Sequence, residues 1–352
     1  PDLTMPLVAT RDIAAEAARL LRSPWDGRAE VPLLGPEDLS YDRVAEIVAD
    51  VLGRPVRYQQ VPGDAFMATM MRNGSSEPIA RGEVPGAFAL TEPDHGSDST
   101  SLETSARWDG DGDGWILRGA KKWIGNGASG GVTFVWARVD RAGDADHGQV
   151  RCFLVEQETP GYTGTVIAGK LSLRGIHQAH ITLDDVRLSE DAVLPGAHSF
   201  RDTSTVLFST RSGVAWSALG HATACYEAAL AYSTQRIQFG KPLAKFQMVQ
   251  ERLTQMLSQL TAMQLYCRRL ADLEAAGALR PTQASMAKFH NTRTARDIAR
   301  TARDLLGGNG ILLENRVMQH LADIEAIHTY EGTESVQALI IGRDITGMGA
   351  FV

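Results

Sequence analysis

The sequence predicts a multidomain α+β chain. A short α/β segment (residues 1–81) leads into a small β-barrel or sandwich (82–195), which is followed by a four-helix bundle (196–352). Three observations predict this order. Apolar residues recur at helical spacing in two places before Arg81. Short β-branched and aromatic runs, parted by Gly/Asp turns, fill Gly86 to about Val193. Apolar stripes at spacing three to four run from Arg201 onward. A length of 352 residues suits two or three domains and a sizeable core.

In the first segment, Thr10 or Asp12 can cap an Ala/Leu-rich helix that ends before Ser23-Pro24, and Ser40 can cap a second helix over residues 41–52. Val44, Ile47, Val48 and Val51 stripe that second helix, Gly53 stops it, and residues 55–62 read as a short strand. The middle segment offers strands at 114–124, 132–139, 150–155 and 180–188. The Asp/Gly run 109–114 lacks the closing Glu and the length of a calcium loop, so it reads as a solvated hairpin turn. Helices are expected over 204–236, 246–276 and 281–306 and after Thr333, with breaks at Gly240-Lys241-Pro242, Gly277 to Pro281 and Gly307-Gly308-Asn309-Gly310. Met256, Leu260, Met263 and Leu270 mark one apolar stripe, and Pro281 suits a first helical turn.

Composition excludes several classes. A net charge of −7 with scattered basic residues argues against a nucleic-acid surface, and no apolar run approaches the roughly 18 residues of a membrane span. Cys152, Cys225 and Cys267 sit at unrelated spacings in apolar surroundings, which fits reduced core thiols rather than a disulfide framework or a metal site. A cytoplasmic location is expected, because Pro1-Asp2-Leu3 lacks the basic start and apolar core of a secretory signal.

Five motifs follow one another: Thr91-Glu92-Pro93-Asp94-His95-Gly96-Ser97-Asp98, Trp123-Ile124-Gly125-Asn126, Arg236-Ile237-Gln238-Phe239-Gly240, Leu305-Leu306-Gly307-Gly308-Asn309-Gly310 and Tyr330-Glu331-Gly332-Thr333. Each alone can be a turn or a helix end. In this order they resemble the flavin-dependent acyl-CoA dehydrogenase family from about Gly82 to Val352. Lys170 to Gly175, Leu194-Pro195-Gly196 and Gly342 to Gly347 look most like its glutaryl-CoA dehydrogenase and short-chain acyl-CoA oxidase branch. The stretch from Gly35 to Pro62 looks instead like the C-terminal part of an NmrA-like short-chain dehydrogenase relative. Without that family's glycine fingerprint, the segment is read as a fusion remnant or auxiliary piece standing where the acyl-CoA dehydrogenases carry an N-terminal helical domain.

The resemblance implies FAD as cofactor, an acyl-CoA substrate, electron-transfer flavoprotein or O2 as acceptor, and a homodimer or homotetramer. It places the catalytic base at Glu331, which removes the α-proton of the thioester while the β-hydrogen leaves as hydride to flavin N5. A thioester α-proton is a weak acid, so the site must raise the Glu331 pKa by desolvation and polarise the thioester carbonyl. The resemblance lines the flavin with Phe88, Leu90, Thr91, Gly96, Ser97, Trp123, Ile124 and Gly125, where Gly125 departs from the common Trp-Ile-Thr-Asn. Across a dimer interface it adds Arg236, Phe239 and Gln247, with Asp304, Leu305, Leu306, Gly307 and Gly308 and, near the base, Thr333. An Arg suits a diphosphate because its planar fork donates two bonds. Ser97, Arg211 and Gly332 fall on the substrate side. The alternative is a non-catalytic oligomeric interaction module left by a fusion that lost one wall of the acyl pocket.

Overall fold

The computed structural model describes residues 84–110, 114–141, 143 and 147–350, together with positions 4–6, 38–40, 45, 46, 49, 55, 57 and 68. It divides into two compact units, Pro1–Glu83 and Val84–Val352. In the first, strand β1 (Thr4–Pro6) pairs antiparallel with β2 (Asp38–Ser40), Thr4 opposite Ser40. Ser40, expected as a helix cap, therefore closes a strand. Positions 45, 46 and 49 are helical as expected, whereas 55 and 57, expected in a strand, are in neither helix nor strand. The helix expected after Thr10 lies outside the described residues.

The second unit opens with a seven-stranded sheet: β3 (Gly86–Ala89), β4 (Ser105–Asp109), β5 (Gly114–Gly125), β6 (Val132–Asp140), β7 (Val150–Glu156), β8 (Tyr162–Val166) and β9 (Gln178–Ser189). The order is β3-β6-β4-β5-β9-β8, with β7 on β6. β3 and β4 both run parallel to β6, at Gly86↔Val132 and Ser105↔Arg138, so they follow one another along that strand. The Asp/Gly run joins β4 to β5, with Asp109 opposite Gly114, as a hairpin turn requires. Alternation supplies the inner face, where Ala106, Leu117, Val135, Phe153, Val155, Ile181 and Val186 are fully buried. Sequence reading missed β3, β4 and β8, which have four or five residues each. In β8, Gly164 masks the strand pattern, and it is required there because a Cβ would stand 2.2 Å from the Gly127 carbonyl oxygen.

Five helices follow: α1 (Phe200–Gln235), α2 (Gln247–Ala275), α3 (Pro281–Leu305), α4 (Val317–Thr329) and α5 (Glu334–Thr346). Between α1 and α2 lies a two-stranded hairpin, β10 (Ile237–Gln238) with β11 (Lys241–Pro242). α1 begins four residues earlier than its apolar pattern, because Asp202 Oδ2 accepts the Ser199 N–H at 2.9 Å and Ser199 Oγ accepts the Arg201 N–H at 3.3 Å. Pro281 holds the first position of α3. The α2 stripe Met256, Leu260, Met263 and Leu270 is buried together with Leu253 and Cys267, against Ala215, Ala222, Ala295 and Ile298. The expected four helices are five. α4 escaped notice because it is 13 residues long, buries only Val317, Ile324 and Ile327, and starts from Arg316 in a left-handed conformation with no capping side chain. All three cysteines are buried and free.

Candidate functional site

α4 stops at Thr329 and α5 starts at Glu334, leaving a four-residue loop. Thr333 caps α5, its hydroxyl accepting the Val336 N–H at 3.3 Å. Glu331 (φ 58°) and Gly332 (φ 83°) are both left-handed. Position 332 demands glycine, since a Cβ would meet Gln337 Nε2 at 2.6 Å. At position 331 a side chain bears a cost of roughly 1 kcal/mol.

The Glu331 carboxylate is half-buried, and its Oε2 accepts the Thr210 hydroxyl of α1 at 3.0 Å. Burial raises its pKa above the ordinary value, against the opposing pull of that hydrogen bond and of the Arg211 and Lys288 cations. Arg211 is 7% exposed and donates from Nη1 to Ser285 Oγ at 3.2 Å, while its Nε has no partner among the described residues. Lys288 of α3 is 1% exposed and donates from Nζ to the carbonyl oxygens of Tyr330 and Gly332. Gln337 of α5 is fully buried and donates to the Glu331 and Gly332 carbonyls, each at 2.9 Å. Glu331, Arg211, Gly332 and Thr333 thus share one corner of the bundle. Sequence reading overlooked Lys288, Gln337 and Thr210, for which no signal existed: each is one polar residue in a helix.

A second group lies on the sheet. Phe88 meets Trp136 edge-on at 6.2 Å, Leu90 and Ile124 are buried, and Gly96 and Ser97 are exposed. The Thr91 carbonyl accepts the Lys122 N–H at 2.8 Å, tying the 91–97 loop to β5 beside Trp123. Trp123 is left-handed (φ 66°) and 49% exposed, and at Gly125 a Cβ would meet nothing within 4 Å.

The third group surrounds the β10–β11 hairpin. Arg236 ends α1, its N–H bonding Tyr232 O at 2.8 Å; Phe239 is 92% exposed and Gln247, opening α2, is exposed too. Leu305 and Leu306 are buried, whereas Asp304, Gly307 and Gly308 are exposed. Asn309 Nδ2 donates to the Tyr232 hydroxyl at 2.8 Å and pins this glycine turn to the end of α1.

The model of the acyl-CoA dehydrogenase middle domain matches residues 87–186, and that of the C-terminal domain matches residues 200–346. The human mitochondrial short-chain specific acyl-CoA dehydrogenase is 33% identical over 290 residues, covering 80% of this chain and 69% of that protein. A crystal structure of glutaryl-CoA dehydrogenase from Mycobacterium smegmatis superposes with a TM-score of 0.76 at 42% identity, over 81% of this chain and 73% of that one. Another, of that enzyme in complex with FADH2, gives 0.75 at 40% identity over 81% and 74%. The chain belongs to the acyl-CoA dehydrogenase family, a family of oxidoreductases. The likeness of Gly35 to Pro62 to an NmrA-like relative is not borne out. Among the described residues no helix is long and apolar enough to cross a membrane.

Proposed function

We propose that this chain dehydrogenates the Cα–Cβ bond of a short-chain acyl-CoA, with Glu331 taking the α-proton. The observation that carries the reading is the Glu331 carboxylate itself: half-buried, raised in pKa by that burial, and engaged by a single hydroxyl. A base of this kind keeps lone pairs open for a proton. Among the described residues the Glu331 N–H makes no hydrogen bond, so it can receive the thioester oxygen as charge develops there. Arg211 and Lys288 favour the carboxylate form at rest, which a proton acceptor needs. Substrate burial over the loop would remove water and strengthen the base further.

FAD, when bound, supplies the acceptor for the β-hydrogen that leaves as hydride, so that acyl-CoA becomes 2-enoyl-CoA. The residues present suit this cofactor. Trp123 offers a half-open indole face, the backbone is bare at Gly125, Gly307 and Gly308, and Arg236 offers an exposed guanidinium for a diphosphate. Phe239, almost fully exposed in one protomer, supports the burial of this hairpin against a second copy. The short-chain substrate class follows the short-chain specific relatives, and an electron-transfer flavoprotein as acceptor accords with the likeness to the electron transferring flavoprotein of Acidaminococcus fermentans; O2 as acceptor rests on the motif resemblance alone.

Purified protein should be yellow and should bleach anaerobically on addition of butyryl-CoA or glutaryl-CoA. A yellow protein that neither thioester bleaches would overturn the enzyme reading in favour of an interaction module, and a colourless one that cannot be loaded with FAD would remove both.

A further inference from the structure

We infer that Lys288 and Gln337 are positioning residues that clamp the Tyr330–Gly332 backbone and thereby aim the Glu331 carboxylate; this rests on Glu331 being the base. Three consecutive carbonyl oxygens, those of Tyr330, Glu331 and Gly332, are all held by side chains from two helices. Lys288 takes the first and third, and Gln337 takes the second and third. Both donor side chains are buried, so competing water reaches these hydrogen bonds from the loop side alone.

Backbone conformation explains why a clamp is needed. Two successive left-handed residues, one of them a glutamate, are a costly turn that does not persist unless the surroundings fix it. Once the loop backbone is fixed, few torsions separate it from the carboxylate, and Thr210 on α1 locates Oε2. Glu331 is thus referenced to α1, α3 and α5 together. Burial, with the nearby Arg211 cation, brings the Lys288 pKa down to about 7. A neutral amine still carries two N–H donors and an ammonium three, so either form serves both carbonyls.

The choice of lysine has a reason. The two carbonyls belong to residues on either side of Glu331, and a long, flexible stem ending in several donors can bridge them from a helix packed beneath the loop. Gln337 contributes a planar amide that reaches the adjacent pair from the first turn of α5.

The FAD-loaded full chain should be compared with Lys288→Met and Gln337→Met by steady-state kinetics on butyryl-CoA and by hydrogen exchange over residues 329–337. Misaiming the base should lower kcat by about ten- to a hundredfold while KM moves less than about threefold, and exchange should rise within this loop ahead of the helices. Combining either change with Glu331→Gln should add little further loss, because the clamp acts through that carboxylate. Unchanged kcat and unchanged loop protection, or a lower melting temperature with kcat retained, would overturn the clamp. So would losses that multiply with Glu331→Gln. If Lys288→Met does not fold, Gln337→Met decides by the same criteria. Should Glu331→Gln itself keep activity, the base assignment fails, and the exchange data still judge whether the loop is clamped.

Discussion

Glu92 and Glu331 each sit in a motif loop near a buried lysine, yet the fold treats them in opposite ways. Glu92 is saturated. Its Oε1 accepts the Thr104 N–H (2.9 Å), the Thr104 hydroxyl (2.5 Å) and Lys121 Nζ (2.9 Å), and its Oε2 accepts the Glu103 N–H (2.7 Å). Burial pushes its pKa up, but Lys121 and these donors overcome that push and hold it below the ordinary carboxylate value. Glu331 has one hydroxyl donor and ends above that value. The lysines differ in step: Lys121 bonds the Glu92 carboxylate and the Leu90 carbonyl, whereas Lys288 bonds carbonyls alone. A carboxylate whose lone pairs are filled fastens a loop, and one left open in a desolvated corner can take a proton. Both carboxylates are pushed up by burial, and the number of donors opposing that push is what differs between them.

The contrast can be broken at several points. Glu331→Gln keeps volume and removes basicity, so butyryl-CoA should bleach the flavin about 100- to 10,000-fold more slowly, with FAD still bound; near-normal bleaching would remove Glu331 from the chemistry. Glu92→Leu should act on stability instead, because it strands Lys121 in the core. A loss of about 3–5 kcal/mol is expected in urea unfolding, and an unaltered midpoint would show that Glu92 is no fastener. Arg236→Ala tests the third group: a lost charged hydrogen bond of about 1.5–3 kcal/mol should release FAD during gel filtration, and full occupancy would place the diphosphate elsewhere. The smallest effect belongs to Thr333→Ala, where loss of the hydroxyl that caps α5 should cost about 1 kcal/mol in urea unfolding, and an unaltered midpoint would show that the cap contributes nothing.

Much of this was legible in the chain. Long β-branched runs gave β5, β6, β7 and β9 within two residues, and the apolar stripes gave α1, α2 and α3 within four. Glu331 and Thr333 stood out because a carboxylate before Gly-Thr is recognisable in context. What stayed hidden has a common cause. β4 and β8 are too short to show alternation, α4 buries three residues in thirteen, and Lys288, Gln337 and Thr210 act over separations of 42, 6 and 121 positions. Neither periodicity nor a local motif encodes such partners; the packing of α1, α3 and α5 does. The same holds for Glu92, whose motif was legible while its partners Thr104 and Lys121 were not.

The central claim is that Glu331 is an open, desolvated base, and its pH dependence tests this most directly. Proton removal requires the ionised carboxylate, so the rate of anaerobic flavin bleaching by butyryl-CoA must fall as pH drops through the Glu331 pKa. Because burial raises that pKa, the fall should be centred above the ordinary value of 4.5, and Glu331→Gln should show no such limb in its residual rate. A wild-type limb centred at or below 4.5, or the same limb persisting in Glu331→Gln, would contradict the account.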